Sequence, residues 1–187
     1  MSTQETVLIV DDERSIVDAF AQWLSETYTV RPTYSGKEAL EQLDESVDIV
    51  LLDRRMPNMD GEAVLETITD RDLDCRVVMI TGVEPDFDIL DLGFDAYLRK
   101  PVSSPETLLD TVQALSRRAT YDQQMQEFLA LASKKATLEA TKPPEELEAS
   151  EEYAGLEAEL LQLRNELSDT ATTLDDQDLR ATFKPRR

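Results

Sequence analysis

Histidine is absent from this chain of 187 residues. The commonest general base and metal ligand is therefore missing, and any histidine chemistry must come from a partner. Cysteine is almost as scarce. Cys75 stands alone, so no internal disulfide is possible and nothing points to an oxidising compartment. No apolar stretch approaches membrane-spanning length, and Met1 to Thr6 lacks the basic-then-apolar pattern of a signal peptide. The expected location is cytoplasmic, with no membrane contact. Positive charge is the third shortage. Against 40 acidic residues there are 19 lysines and arginines, for a formal charge of −21. Such a surface stays soluble but repels nucleic acid and anionic membranes. A basic partner or very salty surroundings suit it better, because near 1 M salt the Debye length is about 3 Å and self-repulsion is largely screened. A halophilic source is expected, with an acidic mesophilic protein as the alternative.

The 41% apolar content is enough to bury the core of one domain of ordinary size plus an appendage. Short apolar runs recur at Val7–Val10, weakly near Thr29–Arg31, at Ile49–Leu52, at Val77–Ile80 and at Ala96–Leu98, with helical patterns between most of them. This (βα)₅ rhythm predicts an α/β fold, a doubly wound five-stranded parallel sheet in strand order 2-1-3-4-5. Apolar stripes at Ile16, Phe20, Trp23 and Leu24, at Ala39, Leu40 and Leu43, and at Ala63, Val64 and Ile68 should cover the sheet. Between Thr81 and Ala96 there is room for only about two helical turns, so a stunted fourth helix is expected between Pro85 and Gly93. The last helix of the sandwich should start near Ser104 and stop at Arg117 or Arg118.

A second unit follows. Tyr121, Met125, Phe128, Ala132, Lys135 and Glu139 recur at spacings of four and three, until Thr141-Lys142-Pro143-Pro144 breaks the chain. Ala149, Tyr153, Leu156, Leu160, Leu163 and Leu167 then resume the pattern as a short coiled-coil seam. The two helices form either an α-helical hairpin folding on itself or a dimer. The expected boundaries are 1–118 for the sandwich, 119–168 for the hairpin and 169–187 for a polar, disordered tail.

In the expected strand order the first and third strands are neighbours, so Asp11, Asp12 and Asp53 share one pocket at the strand carboxyl ends, where ligands of such sheets bind. Three crowded carboxylates repel one another, and burial alone would leave some neutral. A divalent cation resolves the conflict. Mg²⁺ takes hard oxygen ligands, keeps several waters and binds one or two carboxylates together with a phosphate, so Asp12 and Asp53, with Asp11 acting through water, would make its site. The lack of histidine and cysteine there argues against zinc. Thr81 offers a hydroxyl at the fourth strand end, and Gly82 leaves the approach open. Lys100 offers a point charge that can reach a phosphate oxygen, and Pro101 after it is suited to a cis peptide. An aspartate oxygen aimed at a metal-bound phosphoryl group, with a cation and a hydroxyl on its other oxygens, is a phosphoryl acceptor that works by positioning and electrostatics.

Asp11-Asp12, Asp53 followed by Met56-Pro57-Asn58-Met59-Asp60-Gly61, Thr81-Gly82 and Tyr97-Leu98-Arg99-Lys100-Pro101 resemble the signature of two-component response-regulator receiver domains, over residues 5 to about 118. The resemblance implies a flavodoxin-like fold and phosphorylation of Asp53 by a sensor histidine kinase. It also implies that Asp11, Asp12, Asp53 and the backbone carbonyl of Arg55 hold Mg²⁺, that Thr81 and Tyr97 form a switch pair, and that Lys100 contacts the phosphoryl group. Arg55 departs from the smaller polar residue often found there. The stretch Phe128 to Glu139, with Pro144-Glu145-Glu146-Leu147 and Tyr153, is similar to the HalX domain that follows receivers in haloarchaeal regulators.

The expected function is a phosphorylation-driven response regulator whose hairpin acts through protein interaction or dimerisation. A DNA-binding transcription regulator with the HalX-like region as output is the alternative. Against DNA, residues 119–187 hold 15 acidic and 8 basic residues and show no clear helix-turn-helix. A phosphatase built on the same aspartate would need a substrate pocket above the carboxylates, which a stunted fourth helix without a cap insertion is not expected to supply, so no enzyme activity is expected beyond Mg²⁺-dependent self-phosphorylation and dephosphorylation at Asp53.

Overall fold

The computed structural model describes residues 4–84 and 92–173. Its first unit is a five-stranded sheet of β1 (Thr6–Val10), β2 (Thr29–Thr33), β3 (Ile49–Leu52), β4 (Arg76–Thr81) and β5 (Ala96–Arg99), all paired in parallel in the order β2-β1-β3-β4-β5. The expected order is the one observed. The three inner strands are buried at almost every position, as a sheet covered on both faces requires. On the outer strand β2, Pro32 lacks an N–H and interrupts the apolar run. An edge tolerates that loss, and the strand reads weakly for the same reason.

Alternation along the strands separates two cores. Leu8, Val10, Val50, Leu52, Val77 and Met79 face α2 (Gly36–Gln42) and α3 (Gly61–Asp70), which contribute Ala39, Val64 and Ile68. Val7, Ile9, Ile49, Leu51, Val78 and Ile80 face the opposite layer, where α1 (Arg14–Leu24) contributes Val17, Phe20 and Leu24, and α4 (Pro105–Thr141) contributes Leu108, Val112 and Leu115. Each such side chain contributes about 1.5–3 kcal/mol when fully buried.

The chain divides into two compact units between Leu115 and Ser116. In place of a sandwich helix stopping at Arg117 or Arg118, α4 is one helix from Pro105 to Thr141. Neither glycine nor proline occurs between residues 106 and 142, so nothing interrupts its hydrogen-bond ladder. The break at Thr141-Lys142-Pro143-Pro144 is present, and α5 (Pro144–Glu148) starts there with proline in its first turn.

Within the second unit, α6 (Glu151–Thr173) runs antiparallel to the later part of α4. Gln124 meets Glu166 and Thr170, Lys135 meets Glu157, and the Tyr153 hydroxyl donates to Glu139 at 2.8 Å. Leu163 and Leu167 are buried, so the heptad seam closes within one chain as a hairpin. The helix also continues past residue 168, where a polar tail is expected. Residues 169–173 are helical, and the Thr170 hydroxyl lies 3.0 Å from Gln124 Oε1 and 2.9 Å from the Glu166 carbonyl. The rest of that tail, from residue 174, lies outside the described residues, as does most of the expected fourth helix, Pro85 to Asp91. No helix among the described residues is long and apolar enough to cross a membrane.

One glycine couples the fold to the site. The Asp60 carboxylate caps α3 by accepting from the Ala63 N–H at 3.0 Å, and the Gly61 N–H donates to the Arg54 carbonyl at 2.9 Å. A Cβ on Gly61 would run into the carbonyl oxygen of Asp53 and stand 3.0 Å from Arg54 Cα. Only glycine allows that approach. Gly61→Ala should lower unfolding free energy by about 1–3 kcal/mol in denaturant melts, the usual cost of overpacking.

Candidate functional site

The parallel register places the site. Val10 pairs with Leu52, and the Asp53 N–H donates to the Val10 carbonyl at 2.9 Å, so the residues that follow β1 and β3 are held side by side. Asp11 and Asp53 are buried there and Asp12 is exposed. Carboxylate oxygens of the three lie within 4.8 Å of one another. At the end of β5, Lys100 reaches in over a cis peptide to Pro101. Its Nζ lies 2.7 Å from Asp11 Oδ2 and 3.0 Å from Asp53 Oδ2, with Glu13 Oε1 at 3.6 Å.

Burial pushes the Asp11 carboxyl above its ordinary value, against the pull of hydrogen bonds from Lys100 and the Glu13 N–H. Burial would lower Lys100, but its hydrogen bonds to Asp11 and Asp53 outweigh that and hold the ammonium above its ordinary range. The lysine is a fixed cation.

Thr81, Arg55 and Lys100 line, with Asp53, a cavity of about 610 Å³ whose far wall is Ile16, Phe20, Trp23 and Val102. Thr81 is buried and its hydroxyl accepts from the Val83 N–H at 3.3 Å. Tyr97 does not line the cavity. It is half-buried against Phe94, and its hydroxyl donates to the Val83 carbonyl at 2.7 Å. Tyr97 and Thr81 are thus joined through the backbone of Val83. The Arg55 N–H donates to Asp53 Oδ1 at 3.3 Å while its side chain is exposed.

Sequence reasoning did not single out Glu13 or Val83. Glu13 follows the Asp pair directly; its backbone N–H donates to Asp11 Oδ1 at 2.9 Å and its carboxylate approaches Lys100 at 3.6 Å. A third acid in a row was the available signal. Val83 carried none, since only its backbone acts.

The donor set of the acidic cluster is all hard oxygen, with one exposed and two buried carboxylates. It can hold a metal ion. Residues 7–113 match the response regulator receiver domain family, and residues 117–183 match the HalX domain family. The chain belongs to the response regulator receiver family. It is 45% identical over 166 residues to a Haloferax volcanii protein that carries the provisional name of transcriptional regulator, which covers 88% of this chain and 28% of that one. It is 38% identical over 115 residues to the response regulator SaeR of Staphylococcus epidermidis, covering 59% of this chain and 50% of that one. Among solved structures, the CheY-like receiver domain protein of Methanospirillum hungatei JF-1 superposes with a TM-score of 0.55 at 30% identity, covering 59% of this receiver chain and 92% of that one. The chain spans half or less of the length of these two curated relatives. A haloarchaeal relative agrees with the halophilic reading of its charge.

Since burial raises the Asp11 carboxyl, the folded receiver binds a proton there more readily than the unfolded chain. Its ionisation therefore costs stability as pH rises above the ordinary 3.8, and fully so above the raised native value. With a chelator present, Asp11→Asn should melt above the wild type at pH 7, and the gap should close as pH falls below 3.8.

Proposed function

We propose that Asp53 accepts a phosphoryl group from the histidine of a sensor kinase and that the protein relays its phosphorylation state to the HalX unit. The supporting observation is the position of Lys100 Nζ, between Asp11 and Asp53 at 2.7 and 3.0 Å. A cation there neutralises the pair before transfer and is within reach of a phosphoryl oxygen afterwards. In the transfer an Asp53 carboxylate oxygen attacks phosphorus, the P–N bond to the donor imidazole breaks, and the imidazole leaves. Asp11, Asp12, Asp53 and the Arg55 carbonyl would hold Mg²⁺, which when bound offsets charge on the phosphoryl oxygens.

The remaining residues act by position. Thr81 turns its hydroxyl from Val83 to a phosphoryl oxygen, and Tyr97 repacks as the Val83 backbone adjusts. Hydrolysis of the phosphorylated aspartate then resets the site. We assign the chain no further catalytic activity and place its action in the cytoplasm.

For output, a protein partner or a second copy is favoured over DNA. From Pro144 to Thr173 the chain holds nine acidic residues and one basic residue, Arg164, where nucleic-acid contacts need cations. A transcriptional role, suggested by the name of the Haloferax volcanii relative, is the second reading.

Two measurements test these assignments. Wild-type protein with Mg²⁺ should take up phosphoryl from acetyl phosphate, whereas Asp53→Ala or excess chelator should reduce uptake to background. Undiminished uptake by that variant would remove Asp53 as acceptor. In salt-titrated binding to promoter fragments we expect no specific complex, and a protein that binds with affinity falling steeply as salt rises would favour the DNA reading.

A further inference from the structure

The hairpin uses its first heptad seam internally and leaves a second face open. On α4, Gln126, Leu129, Ser133, Ala136 and Ala140 are all exposed, and each lies one residue beyond a seam position, about 100° round the helix. On α6 the positions one residue beyond the seam are Ala154, Glu157, Leu161, Arg164 and Ser168, likewise all exposed. In an antiparallel pair the same rotation brings both rows to one side of the hairpin. The Gln124–Thr170 and Glu139–Tyr153 contacts fix the register, so Leu129 and Leu161 stand within about one turn of each other in height. These two leucines are 59% and 52% exposed.

The α4 row is uncharged and the α6 row is neutral in sum, one carboxylate against one cation, in a chain of which 32% is charged and whose net charge is −21. Two copies of so acidic a protein repel one another, and a face without net charge lessens that repulsion. The cation and carboxylate of the α6 row are Arg164 and Glu157, and Glu157 also accepts from Lys135 at 2.7 Å through Oε1. If α6 packs antiparallel against the α6 of a second copy, with the twofold axis at Leu161, residue 157 of each copy falls beside residue 164 or 165 of the other. Arg164, whose side chain is exposed, then meets the second copy's Glu157. The symmetry supplies both pairs at once.

We propose that two copies of this chain dimerise through this face of the HalX unit, α6 against α6 about Leu161, with Leu129 closing the flank. The contact does not depend on phosphoryl transfer, so Asp53→Ala should dimerise as the wild type does.

The test is sedimentation equilibrium of the full chain in concentrated potassium chloride. A dimer is expected that loosens as salt is lowered, as repulsion between the acidic copies returns. Leu161→Glu should weaken it at least about tenfold, the scale of losing a buried leucine contact, with helical circular dichroism unchanged. Leu161→Cys should cross-link to its own kind under mild oxidation, because Cys75 is buried and does not compete. A wild type that stays monomeric throughout, or an L161E variant that dimerises undiminished through another surface or only with a basic partner, would overturn the proposal.

Discussion

Asp11 and Asp53 end adjacent parallel strands, and the ladder between those strands sets how far apart they can be. Strand spacing of about 4.8 Å leaves two buried carboxylates little room to separate. At an effective dielectric near 20, two like unit charges 4 Å apart repel by about 4 kcal/mol. Lys100 relieves this, and because it comes from the end of β5 at the other side of β4, it ties three strand ends into one charge system. Three carboxylates and one ammonium leave two negative charges over. A divalent cation neutralises that surplus. Under the proposed reading, phosphorylation replaces the single charge of the Asp53 carboxylate with about two on the phosphoryl group, a gain of about one negative charge beside the lysine already in place.

The route outward from that charge is short. Val83 is held by its N–H to Thr81 and by its carbonyl to Tyr97. A Thr81 hydroxyl turned toward phosphate, under the proposed reading, gives up the first of these bonds, which unpins the Gly82–Val83 peptide and lets Val83, whose carbonyl holds Tyr97, shift with it. Under the proposed reading no long chain of side chains is needed between acceptor and tyrosine, since one residue's backbone touches both.

How much of this was legible follows from what each feature depends on. Buried strands announce themselves as continuous apolar runs, so Val7–Val10, Ile49–Leu52 and Val77–Ile80 gave the sheet, and the crossover rules gave its order. Asp11, Asp12, Asp53, Thr81 and Lys100 could be placed together because each closes or follows such a run. Features that depend on backbone contacts far apart in sequence were out of reach. The Gly61 approach to Asp53 and the relay through Val83 involve atoms that every residue has, so no side-chain type marks them. The continuity of α4 is legible in composition alone, since no glycine or proline near Arg117 stops the helix even though its apolar stripe changes partner there.

The acidity of the chain bears differently on its two units. In the receiver, three carboxylates meet at one mouth, where Lys100 faces two of them. In the hairpin carboxylates lie along α5 and α6 with few cations to match them, and the internal seam is closed by leucines, by Lys135 against Glu157 and by Tyr153 against Glu139. Surface pairs of this kind contribute about 0–1 kcal/mol each, so burial of Leu163 and Leu167 must dominate the hairpin's cohesion. A hydrophobic seam holds at any ionic strength, while repulsion among the outward carboxylates falls as salt rises. The hairpin fold should therefore persist across salt conditions in which its encounters with other molecules change greatly, which makes salt a control on assembly more than on folding.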